Sequence, residues 1–290
     1  MRTFWLVGMP FFILLTASCQ PASQNGSPFE KGVSRGTNKN GKLEEASGIV
    51  SSAQNPGYLW SHNDSGNPPE IFLLEESTAK TKKVFLLSNV PNRDWEDIAA
   101  GPGPEENTNY LYVGDIGDNL ARYPVKYIFR IREPLEDDPE DITEINTLIV
   151  KLDDGPRDTE ALMCDPISKN LYLVSKREHQ VALYEIVFPF LGDTLLAKNA
   201  GKLPFKNITA GDISIDGNEV LLKDYEHIYY WKRKGNESIP DLLKTPFTEL
   251  AYDRELQGEG IAWAHDGSGF FTLGENAKGE RAKLYFYKRK

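Results

Sequence analysis

Cysteine is scarce in this sequence, which has only Cys19 and Cys164. Two cysteines exclude the disulfide framework of a small secreted domain, and Cys164, within an apolar run that starts at Ala161, is expected to be a buried hydrophobic residue. The four histidines lack the paired spacing of a zinc site. P-loop, dinucleotide-binding and Gly-x-Ser-x-Gly motifs are also absent, so the sequence gives no support to those enzyme classes.

Basic residues are also fewer than acidic ones. The chain has 33 lysines and arginines against 43 aspartates and glutamates, for a net charge of −10. An acidic surface repels polyanions, so we expect no nucleic-acid partner and no attraction to anionic lipid headgroups. The same balance is compatible with binding of cations.

Long apolar runs are missing except near the start of the chain, at residues 4–15. About a dozen apolar residues are too few to span a bilayer but typical of a signal-peptide core. The run ends in Leu15-Thr16-Ala17-Ser18-Cys19, which resembles a bacterial lipobox. We therefore expect a signal peptide at 1–18 and lipidation of Cys19, with an ordinary signal cleaved near Ala17 or Ser18 as the alternative.

The stretch after Cys19 is polar and rich in Gln, Ser, Asn, Gly and Pro. Such a composition cannot bury enough surface to order itself, so residues 19–41 are predicted to form a flexible tether. Residues 42–290 remain for one folded domain. The expected location is the bacterial cell envelope, with the chain lipid-anchored at the outer membrane or the periplasmic face.

An internal repeat is the main signal for the fold. Five segments combine an acidic or small residue with Ile or Leu, at intervals of about 50 residues except for an insertion between the second and third. The segments are EASGIV from Glu45, WEDIAA from Trp95, TEALMC from Thr159, AGDISI from Ala210 and GEGIAW from Gly258.

Each segment is followed by a turn and by further runs with the alternating, aromatic-rich pattern of β-strands. Four strands per repeat predict an all-β fold, a β-propeller of five blades. The last repeat lacks a fourth strand, which a segment within residues 34–44 would supply to close the ring. The alternatives are a sixth blade in the insertion at 133–157, or a sandwich or solenoid.

In a propeller, the starts of the innermost strands and the ends of the second strands meet at one mouth of the central channel. Two columns of side chains should therefore meet there. The first column is Ser47, Glu96, Glu160, Gly211 and Glu259, with Glu45, Asp97 and Asp212 as neighbours. The second column is His62, Asp115, Lys176, Asp224 and Glu275, with Asn63, Asp64, Asp118, Asn119, Arg177 and Tyr225 flanking it.

Carboxylates crowded at one mouth repel each other unless something compensates their charge. A hard cation such as Ca²⁺, shared protons, or ion pairs with neighbouring cations would each do so. Capping of backbone N–H groups in the next blade is the purely structural alternative. Because the second column differs most between repeats, we expect ligand binding at His62, Asp115, Lys176, Arg177, Asp224 and Glu275.

The motifs EASGIV, DWEDIA, VGDIGDN, DGPRDTEAL and GEGIAW resemble those of secreted bacterial propeller lipoproteins. This group is loosely similar to esterase-like phytases and gluconolactonase-type propellers. In the latter, a channel-facing glutamate helps to hold a divalent cation, and Glu259 is the nearest match, although the proline of that motif is absent. The resemblance implies a Ca²⁺ site at Glu96, Glu160 and Glu259, with Asp212 beside them.

The function expected from these observations is a membrane-anchored, monomeric binding module. Its acidic mouth would hold a divalent cation and a small or polymeric ligand. A metal-dependent hydrolase acting on a phosphoester, lactone or glycoside is the first alternative. A protein-interaction scaffold that uses the rim of the propeller is the second.

Overall fold

A computed structural model describes residues 27–290, and nearly all of their regular structure is β-strand. The predicted signal peptide and Cys19 lie outside the described residues. In chain order the strands are β1 (Val33–Thr37), β2 (Ala46–Ser51), β3 (Tyr58–Asn63), β4 (Glu70–Glu75), β5 (Thr81–Leu87), β6 (Trp95–Pro102), β7 (Asn109–Asp115), β8 (Lys126–Arg132), β9 (Asp141–Ile142), β10 (Asn146–Leu152), β11 (Thr159–Cys164), β12 (Leu171–Ser175), β13 (Val181–Ile186), β14 (Leu195–Leu203), β15 (Ile208–Ile213), β16 (Glu219–Asp224), β17 (Ile228–Lys232), β18 (Thr248–Leu250), β19 (Gly258–Trp263), β20 (Gly269–Gly274) and β21 (Lys283–Lys288).

Within that range one short helix is present, α1 (Ile239–Leu242), which Ser238 caps by accepting a hydrogen bond from the Asp241 N–H. No helix in the described part of the chain has the length and apolar character needed to cross a membrane.

The strands form five antiparallel blades of four strands each: β2-β3-β4-β5, β6-β7-β8-β10, β11-β12-β13-β14, β15-β16-β17-β18 and β19-β20-β21-β1. The innermost strands β2, β6, β11, β15 and β19 each pack against the next, and β19 packs against β2. The ring is therefore closed, and the prediction of a five-bladed β-propeller is confirmed.

The fifth blade is completed by the N-terminal strand β1, which overlaps the segment within residues 34–44 that was predicted to close the ring. β1 pairs antiparallel with β21, with Val33 opposite Phe286 and Thr37 opposite Lys283. Phe29, just before β1, is 2% exposed and lies against Tyr230 and Phe270. The fold thus begins before residue 42, the boundary expected from composition, because an edge strand with few apolar residues looks like a linker in the sequence.

The insertion between the second and third repeats forms no sixth blade. Its strand β9 adds in parallel to the outer edge of blade 1, with Leu86 opposite Asp141. Where the insertion begins, the buried Glu133 carboxylate accepts hydrogen bonds from the Ser52 hydroxyl, the Ala53 N–H and the Trp60 indole N–H. The part of the insertion from Glu133 to β9 therefore connects blade 2 to the edge of blade 1, and we call it the strap.

The hydrophobic core lies between neighbouring blades. Between blades 1 and 2, for example, the Trp60 and Phe85 rings lie 5.5 Å apart and the Trp95 and Phe129 rings 5.9 Å apart, within one buried cluster. Such aromatic side chains bury large apolar areas, which is the main source of stability for stacked sheets. Cys164 is buried, as predicted.

Candidate functional site

The start of each innermost strand carries a β-bulge at one mouth of the channel. In blade 2, Trp95 pairs with Asp115 and Asp97 with Gly114, so that Glu96 is left without a partner. A bulge re-aims the side chain of its extra residue. The residues in this slot of blades 2 to 5 are Glu96, Glu160, Thr209 and Glu259, and in blade 1 the two residues Ser47 and Gly48 occupy it.

Two predictions for blade 4 need correction. Its bulge residue is Thr209, whereas Gly211, expected in that slot, pairs with Leu222 further along the strand. Asp212 accordingly lies deeper in the channel, where its carboxylate accepts hydrogen bonds from the N–H groups of Ile213 and, in blade 5, Trp263. Asp212-Ile213 matches Asp97-Ile98 in the sequence, and this match placed Gly211 in the slot of Glu96. Asp212 therefore does not belong with the glutamates at the mouth, contrary to the prediction.

Five carboxylates converge at the mouth in two groups that share Glu96. Oxygens of Asp64, Asp94 and Glu96 lie within 4.8 Å of one another, and so do oxygens of Glu96, Asp158 and Glu160. Asp94 and Asp158 were not among the expected site residues. A signal for them does exist in the sequence, because the pattern Arg-Asp-x-Glu occurs at both Arg93–Glu96 and Arg157–Glu160.

The two groups differ in their counter-charges. In the second group Lys176 Nζ lies 2.8 Å from Glu160 Oε2, and Arg177 pairs with Asp158. Among residues 27–290, no lysine, arginine or histidine forms an ion pair with a member of the first group. We refer to this first group, Asp64, Asp94 and Glu96, as the unpaired triad.

A glycine allows the unpaired triad to assemble. A Cβ atom on Gly117 would lie 2.1 Å from Glu96 Oε1 and 2.5 Å from the Asp94 carboxyl carbon. The backbone of the loop after β7 therefore approaches both carboxyl groups more closely than any larger residue would allow. This close approach is a structural reason for glycine in the sequence Gly114-Asp115-Ile116-Gly117.

Burial and mutual repulsion favour protons on these carboxyl groups. Burial, together with the nearby Glu160, raises the pKa of Glu96 well above its usual range. Burial raises the pKa of Glu160 to about 8 in spite of Lys176, and that of Asp94 to about 6. Burial and the charge of Glu259 raise the pKa of Glu275 to about 7. The mouth thus holds protons near neutral pH that a bound cation would displace.

Glu259, the third expected glutamate, borders both groups without joining either. It accepts a 2.7 Å hydrogen bond from the Tyr225 hydroxyl. Lys176 Nζ in turn lies 5.3 Å from the centre of the Tyr225 ring. Of the residues at or beside the ends of the second strands, Asp64 belongs to the unpaired triad, and Lys176, Arg177, Tyr225 and Glu275 border the acidic mouth.

The other members of the second column have local structural partners. His62 is fully buried, its Nδ1 lies 2.9 Å from the Asn63 carbonyl oxygen, and burial lowers its pKa to about 4. Asp115 accepts hydrogen bonds from Arg93 Nε and from the Asp94 N–H. These contacts connect the mouth to the strands that carry it.

Asp224 and Asp97 bind backbone groups. Asp224 accepts hydrogen bonds from the N–H groups of Glu226 and His227, which closes the turn after β16. Asp97 is fully buried and accepts hydrogen bonds from the Leu162 N–H in blade 3 and, at 3.5 Å, from the Gly211 N–H in blade 4. Asp97 thus joins three blades across the channel, as expected for a residue that caps backbone groups.

The chain matches no protein-family model and no curated protein. Among solved structures it is similar to a luciferin-regenerating enzyme, with 12% identity, a TM-score of 0.45, and 84% of this chain and 77% of that chain covered. It is also similar to the nidogen/laminin complex, with 9% identity, a TM-score of 0.48 and 84% of both chains covered. The comparisons assign the chain to no family. The propeller is defined by the strand order described above.

Proposed function

We propose that this protein is an exported, lipid-anchored β-propeller that binds a divalent cation at the acidic mouth of its channel. The observation that carries the proposal is the unpaired triad, three converging carboxylates without a cationic partner among the described residues. A buried negative charge is costly unless a cation compensates it. A metal ion between Asp64, Asp94 and Glu96 would supply that compensation.

Ca²⁺ fits this set of donors better than a transition metal. The triad offers only carboxylate oxygens, and Ca²⁺ takes six to eight oxygen ligands in irregular geometry, with water completing the shell. Zinc sites use Cys and His. Cys164 lies among apolar residues of blades 2 and 3, and the His62 ring is held against Asn63 and Trp95, so neither belongs to the triad.

Isothermal titration calorimetry tests the proposal: Ca²⁺ is titrated at pH 7.5 into protein from which a chelator has removed bound metal. Asp94→Asn removes one charge from the triad and should weaken Ca²⁺ binding by about tenfold or more, since ligand charge sets the affinity of such sites. Glu275→Gln is the matched control, because it removes the same charge from the same mouth outside the triad. It should change the affinity by less than about threefold, as expected of a screened, more distant charge.

Two results would count against a site at the triad. Equal losses in Asp94→Asn and Glu275→Gln would mean that general acidity, not the triad, attracts the ion. Absence of binding in the unaltered protein would mean that the carboxyl groups are compensated by protons and by the pairs with Lys176 and Arg177.

The membrane anchor is a separate part of the proposal and is supported by the lipobox-like sequence that ends at Cys19. A thioether-linked lipid with additional acyl chains would hold the protein stably on a membrane. Labelling of cells with a radioactive fatty acid should mark the protein and fail for Cys19→Ser. Cys164→Ser, which alters the buried cysteine, should keep the label; a label that persists in Cys19→Ser would contradict the anchor.

We also propose that the cation helps to hold a small or polymeric ligand, with Lys176 and Arg177 at the edge of the site. Hydrolysis at the same mouth is the second candidate function. It is favoured by Glu160, a carboxyl group with a pKa of about 8 that lies beside a lysine and is suited to proton transfer. Turnover of a chromogenic phosphoester, lactone or glycoside, lost with a chelator and in Glu160→Gln, would establish hydrolysis; a rim-only scaffold would show neither metal binding nor turnover.

A further inference from the structure

The opposite mouth of the channel contains a cavity of about 260 Å³ that none of the site residues above uses, except the displaced Asp212. All five blades contribute to it. Much of its wall is apolar, with Val50 and Ala53 from blade 1, Pro102 from blade 2, Pro166 from blade 3 and Ile213 from blade 4. Trp263 from blade 5 also lines it, and its indole packs against Phe29 and Phe270.

The cavity has a single carboxylate in its wall. Asp212 is 9% exposed, and its two oxygens accept one hydrogen bond each, from the N–H groups of Ile213 and Trp263. No lysine or arginine lines the cavity, and within residues 27–290 none pairs with Asp212. Burial raises the pKa of Asp212 to about 7. The two hydrogen bonds from backbone N–H groups do not compensate the charge of an ionised Asp212, because a buried carboxylate needs a cation as well as hydrogen bonds.

Part of the entrance is apolar too, beside the exposed His265. Ile215 lines it and is 55% exposed, and Ile167 at the start of the neighbouring turn is 61% exposed. The Ile167 side chain reaches Gly217 on the turn after Ile215, so the two isoleucines lie on adjoining turns. An apolar molecule entering from this side would therefore meet an apolar surface before it reaches Asp212.

We propose that this cavity binds a small organic amine. The apolar body of the amine would fit between the blades, and its ammonium group would pair with Asp212. The volume is just below the roughly 300–1,000 Å³ of pockets for drug-sized ligands, which favours a ligand of fragment size. An anion is disfavoured, because the cavity wall holds a carboxylate and no lysine or arginine, and His265 on the exposed rim forms no ion pair with Asp212. A neutral ligand would leave Asp212 without a counter-charge.

Three phenyl compounds of similar size and different charge test this inference: 2-phenylethylamine, 2-phenylethanol and phenylacetate. Each is titrated into the purified protein at pH 8, and the Trp263 indole N–H resonance is followed by NMR. The amine should bind most tightly, the alcohol about tenfold or more weakly, and phenylacetate not measurably, since loss of a buried ion pair costs more than loss of an apolar contact.

Asp212→Asn keeps the size of the side chain and removes its charge, so the preference for the amine over the alcohol should disappear. Ala53→Phe fills the cavity from a loop at its rim and should abolish binding of all three probes. Asp94→Asn changes the other mouth and should leave amine binding unchanged, which separates this inference from the proposed cation site. Equal binding of the three probes, a preference that survives Asp212→Asn, or no binding of the amine would overturn it.

Discussion

At the scale of single residues, the acidic mouth depends on some side chains that the repeat makes evident and on others that only the structure reveals. Glu96, Glu160 and Glu259 are evident in the repeat, because each fills the bulge slot of its blade. Asp94 and Asp158 precede two of these glutamates and complete the two groups of carboxylates. Their importance follows from the spacing Asp-x-Glu at the strand start, which brings both carboxyl groups to the same mouth.

Gly117 provides a test at this scale. In Gly117→Ala the new Cβ atom would collide with the carboxyl groups of Glu96 and Asp94. We expect a loss of stability of about 1–3 kcal/mol, as for other overpacked sites, and weaker Ca²⁺ binding. Urea denaturation and calorimetry measure the two effects. Gly41→Ala is the control, because a Cβ atom there meets nothing within 4 Å, and an equal effect in both variants would contradict the close approach.

At the scale of elements, the repeated strands were predictable and the connections between blades were not. Every blade has a bulged inner strand and alternating second and third strands, so the periodic pattern is strong. The insertion that begins at Glu133 has little pattern of its own, because its strand β9 lies at the outer edge of a sheet and buries few apolar residues. The closing strand was expected within residues 34–44 only because the last repeat lacked a fourth strand, and β1 overlaps that segment. The depth of Asp212 was also unpredictable, since it depends on where the bulge falls in β15.

Phe29 tests whether the chain before β1 belongs to the fold. Its ring is packed against Tyr230, Trp263 and Phe270. Phe29→Ala should cost about 3–5 kcal/mol, as for other buried aromatic residues. The midpoint of urea unfolding gives the value, with Val33→Ala, at a side chain that is 59% exposed, as the control. A flexible tether would make the two variants equally harmless.

Glu133 tests the strap between blades 1 and 2. In Glu133→Ala the Ser52 hydroxyl, the Ala53 N–H and the Trp60 indole N–H lose their shared acceptor. Buried donors without a partner are costly, and we expect a loss of about 2–3 kcal/mol in the free energy of unfolding. The half-exposed Glu136 in the same insertion is the control, and Glu136→Ala should stay within about 0.5 kcal/mol of the unaltered protein.

At the scale of the whole molecule, the propeller carries many carboxyl groups whose pKa is higher in the folded state than in the unfolded chain. Some lie at the mouth, but burial also raises the pKa of Glu76, Asp212 and Glu255 to about 7. Between about pH 5 and pH 8 the folded protein therefore binds more protons than the unfolded chain. The free energy of unfolding falls with rising pH wherever this is so.

We accordingly expect the melting temperature in a chelating buffer to fall steadily from pH 5 to pH 8. Each kcal/mol lost should lower it by about 2–4 °C for a domain of this size. In the proposed cation site Ca²⁺ would replace protons at the mouth, so we expect its stabilising effect to be larger at pH 8 than at pH 5. Scanning calorimetry with and without Ca²⁺ at both pH values measures this, and a Ca²⁺ effect independent of pH would contradict proton displacement.

The pairing of β1 with β21 has a consequence for how the protein folds. Val33 meets Phe286, so the ring closes only when residues about 250 positions apart in the chain come together. Contacts between such distant parts of a chain slow folding, because the entropy of a very long loop must be lost first. A nascent chain that still lacks its last strand therefore keeps an open fifth blade. Pairing of β1 with β21 is therefore the last contact needed to complete the ring, and the fifth blade can form only after the whole chain has been made.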